Sequence, residues 1–214
     1  MIKVSASLLA ADFSKLGEEI NKVVEAGADE IHLDVMDGLF VPNISIGPCV
    51  IKPLRDCTNK CFDVHLMIQE PERYIKAFAE AGADSITIHA ERTHDICKTI
   101  LQIKDMGLKA GVALKPETPL STVDRVIEQL DRVLLLTVNP GFGGQTFMPS
   151  MIKKIRELSK TLQILGLDIP IQVDGGVCSD NIHSIRKAGV DIVVIGSALF
   201  GASDYKEYIK KIKQ

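Results

Sequence analysis

The sequence lacks any block of lysine and arginine residues, and its net charge is −3 with a pI near 6.0. A general electrostatic attraction to nucleic acid or to an anionic membrane therefore has no basis in its composition. It also lacks an apolar run of about 18 residues, the length that a membrane-spanning helix requires. The chain begins directly on a strand-like run, so we expect no leader peptide, no membrane span and a cytoplasmic location.

Signals for cysteine pairing are missing as well. The five cysteines are odd in number, scattered and without a CxxC spacing: Cys49, Cys57, Cys61, Cys97 and Cys178. Cys57 and Cys61 have no second cysteine or histidine pair with which to complete a zinc clip. We therefore expect reduced thiols with packing or surface roles.

The length and hydropathy pattern predict an α/β barrel. A chain of 214 residues with 46% hydrophobic content suits one barrel and is short for two domains, so we expect a single domain over residues 1–214. Short β-branched runs alternate with helical patterns, and the predicted strands are 4–9, 30–35, 62–67, 85–90, 109–114, 133–138, 169–173 and 191–195. Eight such units favour a closed parallel (β/α)8 TIM barrel over an open doubly wound sheet.

Local signals mark where helices begin and end. A glycine followed by an apolar residue recurs before five of the strands, at Gly27, Gly82, Gly107, Gly166 and Gly189, as expected of helix C-termini. Asp12 is predicted to cap a helix whose buried face includes Phe13 and Leu16. Pro71 is predicted to lie in the first turn of a later helix.

Polar side chains on the strands predict a metal site. We expect barrel strands to be apolar towards the helices and to turn polar inside the barrel only near the end that carries a site. His32 and Asp34 share the interior parity of the second strand, His65 that of the third, and Asp174 ends the seventh. Each alone is an ordinary interior polar group, but together they suit zinc, or manganese, iron or cobalt. His89, on the fourth strand, is expected to be a neighbouring or core histidine.

Glycine-rich segments follow the last three strands, at residues 139–145, 175–176 and 196–200. Backbone N–H groups in such segments form a nest for an anion, and TIM barrels commonly bind phosphate at these loops. Neither a Walker lysine motif nor GxGxxG is present, so the pattern predicts a phosphate group without a nucleotide.

Taken together, these motifs resemble the ribulose-phosphate 3-epimerase family almost end to end. The matching stretches are SASLLAADF, HLDVMDGLFVPN, DVHLM, VNPGFGGQ, DGG and GSALF. The resemblance implies a ribulose-phosphate-binding barrel with a divalent ion, zinc above all, on His32, Asp34, His65 and Asp174. It also implies interconversion of D-ribulose 5-phosphate and D-xylulose 5-phosphate in the pentose phosphate pathway, by a homo-oligomer that is a dimer or a hexamer.

The same resemblance assigns substrate contacts. They are Ser7, Met36, His65, Met67, Leu136, Gly141, Phe142, Gly143, Gly144, Asp174, Gly175, Gly176, Gly196 and Ser197. The family commonly lines the reacting carbons with three methionines, and Leu136 stands at the third position. Leucine keeps the apolar volume and loses the polarizable sulfur, so we expect a slightly altered fit.

Two other functions stay open. The allulose-6-phosphate 3-epimerases resemble this chain on the His-Asp and His-Met strands, although the complete Gly143-Gly144 and Gly175-Gly176 pairs favour the pentulose enzyme. A non-catalytic sensor of a phosphorylated ligand would have no need of two carboxylates and a metal. The Asp-x-Lys-x-x-Asp run expected of barrel decarboxylases is absent.

Two carboxylates on opposite walls lead to a mechanistic hypothesis. Asp34 would remove the proton from the third carbon, the metal charge would stabilise the ene-diolate, and Asp174 would return a proton from the opposite side. The sequence leaves open whether the segments 37–48 and 142–148 close over the substrate.

Overall fold

The computed structural model describes residues 2–214, so Met1 of the predicted domain lies outside it. The strands in this range are β1 Lys3–Ser7, β2 Glu30–Met36, β3 Cys61–Met67, β4 Ser85–His89, β5 Lys109–Leu114, β6 Arg132–Leu136, β7 Ile171–Asp174 and β8 Ile192–Ile195. Each pairs in parallel with its neighbours in chain order, and β8 closes on β1. The prediction of a closed (β/α)8 barrel is confirmed, and every predicted strand boundary lies within two residues of the observed one.

Helices surround the barrel. The α-helices are α1 Leu16–Glu25, α2 Pro48–Leu54, α3 Ile75–Glu80, α4 Ile96–Asp105, α5 Met151–Leu165, α6 Ile182–Lys187, α7 Ser197–Phe200 and α8 Tyr205–Lys213. The 3-10 turns are Leu8–Ala10, Phe13–Lys15, Arg55–Cys57, Pro71–Arg73, Leu120–Val123 and Ile127–Gln129. Within residues 2–214, no helix combines the length and the apolar character needed to span a bilayer.

The alternation of strand and helix is irregular between β5 and β6. Only the two turns Leu120–Val123 and Ile127–Gln129 connect these strands, where the sequence pattern predicts a helix. Pro116 and Pro119 precede the turns and supply no backbone N–H groups, so a regular α-helical ladder does not start there. Between β5 and β6, 3-10 turns therefore take the place of an α-helix.

The main core lies between the strands and the helices. Ile31 and Leu33 of β2 belong to the same buried cluster as Ile20 and Val23 of α1. Outward strand positions are thus apolar, as the alternation in the sequence predicts. The five predicted helix-ending glycines all have positive φ. Gly166 shows why: at φ 66° it ends α5, and its N–H donates to the carbonyl of Leu162.

The start of the first helical segment differs from the prediction. Asp12 does act as a cap, accepting a hydrogen bond from the backbone N–H of Ser14 at 3.0 Å. The Ser14 hydroxyl donates to the same carboxylate at 2.7 Å and tightens the turn, so Phe13–Lys15 is 3-10 and α1 begins at Leu16. The expectation that Phe13 is buried is wrong, since 47% of its surface is exposed.

A buried polar layer fills the barrel at the end where the strands begin. Arg132 Nη1 lies 3.0 Å from Glu30 Oε2 and 2.9 Å from Asp63 Oδ2, and Gln172 donates to Asp63 at 2.8 Å. The expectation that the interior turns polar only near the site is therefore wrong. The layer is tolerated because the guanidinium lies within 3.0 Å of both carboxylates and offsets their negative charge.

We predict that Arg132→Met lowers the free energy of unfolding by about 3–5 kcal/mol, because Glu30 and Asp63 would stay buried without their cation. Urea unfolding measures the loss. The control is Lys76→Met, which removes the exposed Lys76–Glu80 pair at 3.7 Å and should change stability far less. Equal losses in the two variants would contradict the stabilising role of the layer.

Candidate active site

Strand register brings the predicted metal ligands together. In the β2–β3 ladder Asp34 pairs with His65, and His32 pairs with Asp63. All these side chains share the interior parity, so neighbouring strands present them to the same space. Asp174 ends β7, with β8 and β1 between it and β2. Side chains from two adjacent strands and from one more distant strand thus meet inside the barrel.

The four side chains form a compact cluster of nitrogen and oxygen atoms. One ligand atom from each of His32, Asp34, His65 and Asp174 lies within 4.8 Å of the others. Asp34 Oδ1 lies 3.2 Å from both His32 Nε2 and His65 Nδ1. Asp174 Oδ2 lies 4.0 Å from the first nitrogen and 3.9 Å from the second. This set can hold a divalent metal ion.

His32 is oriented by the polar layer beneath it. Its Nδ1 lies 2.9 Å from Asp63 Oδ2, which points Nε2 at the cluster, and among residues 2–214 that nitrogen has no hydrogen-bond partner. Burial raises the pKa of Asp63, but Arg132, His32 and Gln172 outweigh it and hold that pKa below the usual range. Burial lowers the pKa of His32, but its carboxylate neighbours raise it well above the usual value. The raised pKa favours a protonated ring, and a metal ion bound at Nε2 would displace the proton from this nitrogen.

The two aspartates have opposite electrostatic environments. Burial raises the pKa of Asp34, but the charge of His32, together with the hydrogen bond and charge of His65, outweighs it and holds the pKa below its usual range. Burial, and then the negative charge of Asp34, raises the pKa of Asp174 to about 6. The pair therefore resists carrying two negative charges, and a cation between them would relieve that repulsion.

His65 has a second partner on its other ring nitrogen. Its Nε2 lies 3.0 Å from His89 Nε2, and His89 Nδ1 lies 3.0 Å from Glu91 Oε2. The expectation that His89 is a neighbouring histidine agrees with this contact. Both rings are fully buried.

A cavity of about 340 Å³ opens above the cluster. Its walls include every predicted substrate contact except His65: Ser7, Met36, Met67, Leu136, Gly141, Phe142, Gly143, Gly144, Asp174, Gly175, Gly176, Gly196 and Ser197. Ser7 donates its hydroxyl to Asp34 Oδ2 at 2.6 Å, so it positions this carboxylate from the cavity wall. The size suits a small ligand.

Two loops meet over the cavity. The Asn43 side chain, in the loop after β2, donates to the carbonyl of Gly141, in the loop after β6, at 2.7 Å. Gln145 donates to the carbonyls of Asn139 and Phe142 and folds the second loop back on itself. One hydrogen bond therefore joins the candidate lid 37–48 to the residue directly before the candidate lid 142–148.

Sequence reasoning missed the residues that orient the ligands. Asp63 stands inside the DVHLM stretch, and Arg132 opens an apolar strand, which is itself an unusual place for a charge. A search for interior charges at strand starts would have found both. Glu91 follows the end of β4 and had no signal beyond that position.

Comparison with known proteins supplies a family for this arrangement. The model of the ribulose-phosphate 3 epimerase family matches residues 3–200. A ribulose-phosphate 3-epimerase of Bacillus subtilis (strain 168) is 50% identical, with 100% of this chain and 99% of that protein covered. A chloroplastic ribulose-5-phosphate-3-epimerase of Arabidopsis thaliana is 51% identical, covering 99% of this chain and 76% of the relative. An Escherichia coli (strain K12) ribulose-phosphate 3-epimerase is 46% identical, covering 98% and 94%.

Solved structures with lower identity share the fold. The 3-hexulose-6-phosphate synthase from Salmonella typhimurium superposes with a TM-score of 0.73 at 21% identity, covering 100% of this chain and 97% of that chain. KGPDC from Streptococcus mutans gives a TM-score of 0.72 at 15% identity, covering 100% and 96%. These likenesses concern the barrel alone.

We predict that His65→Ala weakens zinc binding by at least the 10–100-fold typical of losing a partner of a metal ligand, because one of the four donors is removed. Competition with a chromophoric chelator measures the affinity. The control is His94→Ala, since His94 is 76% exposed and outside the cluster. Equal zinc affinity in the two variants would rule out His65 as a ligand.

Proposed function

This chain belongs to the ribulose-phosphate 3-epimerase family, and we propose that it inverts its substrate with two aspartates, Asp34 and Asp174, beside a bound divalent ion. It is an isomerase-class enzyme that interconverts D-ribulose 5-phosphate and D-xylulose 5-phosphate, a reaction of the pentose phosphate pathway. The observation that carries the mechanistic proposal is the meeting of both carboxylates at one cavity.

The alternatives weighed from the sequence receive less support. The relatives described above are ribulose-phosphate enzymes, which favours the pentulose substrate over allulose 6-phosphate. A phosphate-ligand sensor would have no use for a buried acid pair whose mutual repulsion is costly. The sequence similarity to this family and the chemistry of the cluster therefore favour an enzyme over a sensor.

The cluster of His32, Asp34, His65 and Asp174 fits a divalent ion. Support comes from the mixed nitrogen and oxygen donors, from the partnerless Nε2 of His32 among residues 2–214, and from the raised pKa of Asp174. We propose zinc, with iron, manganese and cobalt as chemically suitable alternatives. When bound, the ion would polarise the ketone of the substrate and offset the negative charge that develops on it.

The two aspartates supply the proton transfers. Asp34 removes the proton from the third carbon in one direction, and Asp174 delivers a proton to the opposite face. Because β8 and β1 separate β7 from β2, the carboxylates approach the cavity from different walls. A single base on one face would return the proton to its original side, so inversion requires the second carboxylate. The roles exchange when the reaction reverses.

Apolar side chains enclose the reacting carbons. Met36 and Met67 pack with Phe40 and Val41 in one buried cluster, and Leu136 packs with neighbouring apolar residues in another. All three predicted contacts line the cavity. We propose that they keep water from the carbanionic intermediate, and that Leu136 fills the place of a methionine.

The phosphate is proposed to bind at the glycine-rich loops. Among the described residues, no lysine or arginine lines the cavity, and we propose that backbone N–H groups and the Ser197 hydroxyl bind the anion. A Cβ on Gly143 would lie 3.5 Å from Ser197 Oγ, which shows that these loops converge. Gly176, at φ 68°, packs directly against the backbone of Phe147. Glycine is needed there for both its conformation and its size.

We further propose that residues 1–214 form a single catalytic domain that works as a cytoplasmic homo-oligomer, a dimer or a hexamer. This proposal rests on the resemblance of the sequence to its family. Sedimentation velocity on the purified protein tests the assembly, and a monomer at micromolar concentration would overturn it.

We predict that Asp34→Asn and Asp174→Asn each lower turnover by about 100-fold or more, because each amide cannot exchange a proton with the third carbon. Turnover per bound metal ion and exchange of the carbon-bound hydrogen with deuterated water measure the effect. The control is Asp124→Asn, an exposed position away from the cavity. Near-normal turnover in either site variant would defeat the two-aspartate scheme.

We predict that Gly176→Ala lowers kcat/KM for ribulose 5-phosphate by roughly 10–100-fold, because the added Cβ meets the Phe147 backbone and displaces the phosphate loop. Inhibition by inorganic phosphate should weaken in parallel. Gly47→Ala is the matched control, since its φ is −139° and a Cβ there meets nothing within 4 Å. Unchanged phosphate inhibition in Gly176→Ala would place the anion elsewhere.

A further inference from the structure

A buried hydrogen-bonded chain runs from the candidate metal ligand His65 to a carboxylate outside the cluster. His65 Nε2 meets His89 Nε2 at 3.0 Å, and His89 Nδ1 meets Glu91 Oε2 at 3.0 Å. The far oxygen of the carboxylate, Oε1, accepts the backbone N–H of Lys115 at 2.9 Å and also the hydroxyl of Thr118. The mechanism described above uses neither His89 nor Glu91.

With a metal ion on Nδ1 of His65, the proton of that ring lies on Nε2, and only one arrangement of protons then satisfies the chain. An ionised carboxylate accepts hydrogen bonds and donates none, so His89 must carry its proton on Nδ1. The Nε2 of a neutral His89 is then an acceptor, and the facing Nε2 of His65 must be the donor. Nδ1 of His65 is thereby left with its lone pair, and this is the nitrogen that faces Asp34 and Asp174.

The surroundings of Glu91 support an ionised carboxylate at the end of the chain. Burial raises the pKa of Glu91, but the hydrogen bonds from His89, Lys115 and Thr118 outweigh it and lower that pKa to about 2. Glu91 is therefore an ionised acceptor.

We propose that Glu91, acting through His89, is a positioning residue that fixes the tautomer of His65 and so presents its Nδ1 to the metal ion. The inference rests on the metal site of the proposed function. His89 transmits the effect of the carboxylate to the next ring. Because Glu91 accepts from Nδ1 of His89, Nε2 of His89 accepts from Nε2 of His65. Partners of metal-ligating histidines commonly fix the ring tautomer in this way, although usually by direct contact.

The other proposed ligand histidine, His32, is held in the opposite tautomer. Asp63 accepts from Nδ1 of His32, which leaves Nε2 as the free nitrogen. The two histidines therefore offer different ring nitrogens to Asp34 Oδ1, each at 3.2 Å. A carboxylate determines both orientations, directly for His32 and through one intervening ring for His65.

The Glu91→Gln variant tests the proposal because it should reverse the chain of protons. The backbone N–H of Lys115 is a fixed donor, so the amide oxygen must pair with it, and the amide NH2 then faces His89. His89 would move its proton from Nδ1 to Nε2, opposing the N–H of His65. Zinc binding requires that N–H, so we expect zinc affinity to fall about 10–100-fold.

Thr118→Val is the matched control. It removes a hydrogen bond to the same carboxylate but leaves its charge, the Lys115 N–H and the contact with His89 in place. We expect its zinc affinity and its histidine tautomers to equal those of the wild type. Competition with a chromophoric chelator measures affinity, and NMR of isotope-labelled imidazole nitrogens reports each tautomer in a way that a change in stability alone would not.

The wild-type spectrum is decisive even where a variant fails to fold. We expect a proton on Nδ1 of His89 and, in the zinc-loaded protein, protons on Nε2 of His65 and Nδ1 of His32. A proton on Nε2 of wild-type His89, or unchanged tautomers in Glu91→Gln, would overturn this inference and leave the epimerase proposal standing. Failure of the wild type to bind zinc would overturn the metal site and this inference together.

Discussion

The parity and register of β2 against β3 determine what the rest of the site can do. Pairing Asp34 with His65 places an acid beside an imidazole, and the same ladder places His32 beside Asp63. A slip of one residue would turn one strand's polar set into the apolar layer beneath the helices. The outward residues Ile31 and Leu33 are fully buried there, so their packing holds His32 and Asp34 in register.

Compensation of buried charge links the two ends of the barrel. At the end where strands begin, Arg132 forms ion pairs with both Asp63 and Glu30, and Asp63 in turn orients His32. At the opposite end, no lysine or arginine of residues 2–214 lines the cavity beside Asp34 and Asp174, and burial together with the charge of Asp34 raises the pKa of Asp174. The ion pairs of Arg132 thus help to orient His32 towards Asp34 and Asp174, the two carboxylates whose charge a metal ion would offset.

The cavity offers two different kinds of surface. On one side its walls are carboxylates and apolar side chains, which suit proton transfer away from water. On the other side lie the glycine-rich loops and the Ser197 hydroxyl, without a lysine or arginine from residues 2–214. Backbone N–H groups can hold a dianion without adding a mobile charge near the acid pair.

The sequence by itself determined the strand order, the interior parity of His32, Asp34 and His65, and the helix-ending glycines, because these follow from local periodicity and backbone conformation. The motifs also identified the family. Only the tertiary structure decided that Arg132 lies across the barrel from Glu30, that Phe13 is exposed, and that Glu91 reaches His65 through His89. These contacts join strands and loops far apart in the chain, and hydrogen-bond partners of that kind depend on how the closed barrel packs, which a one-dimensional pattern does not encode.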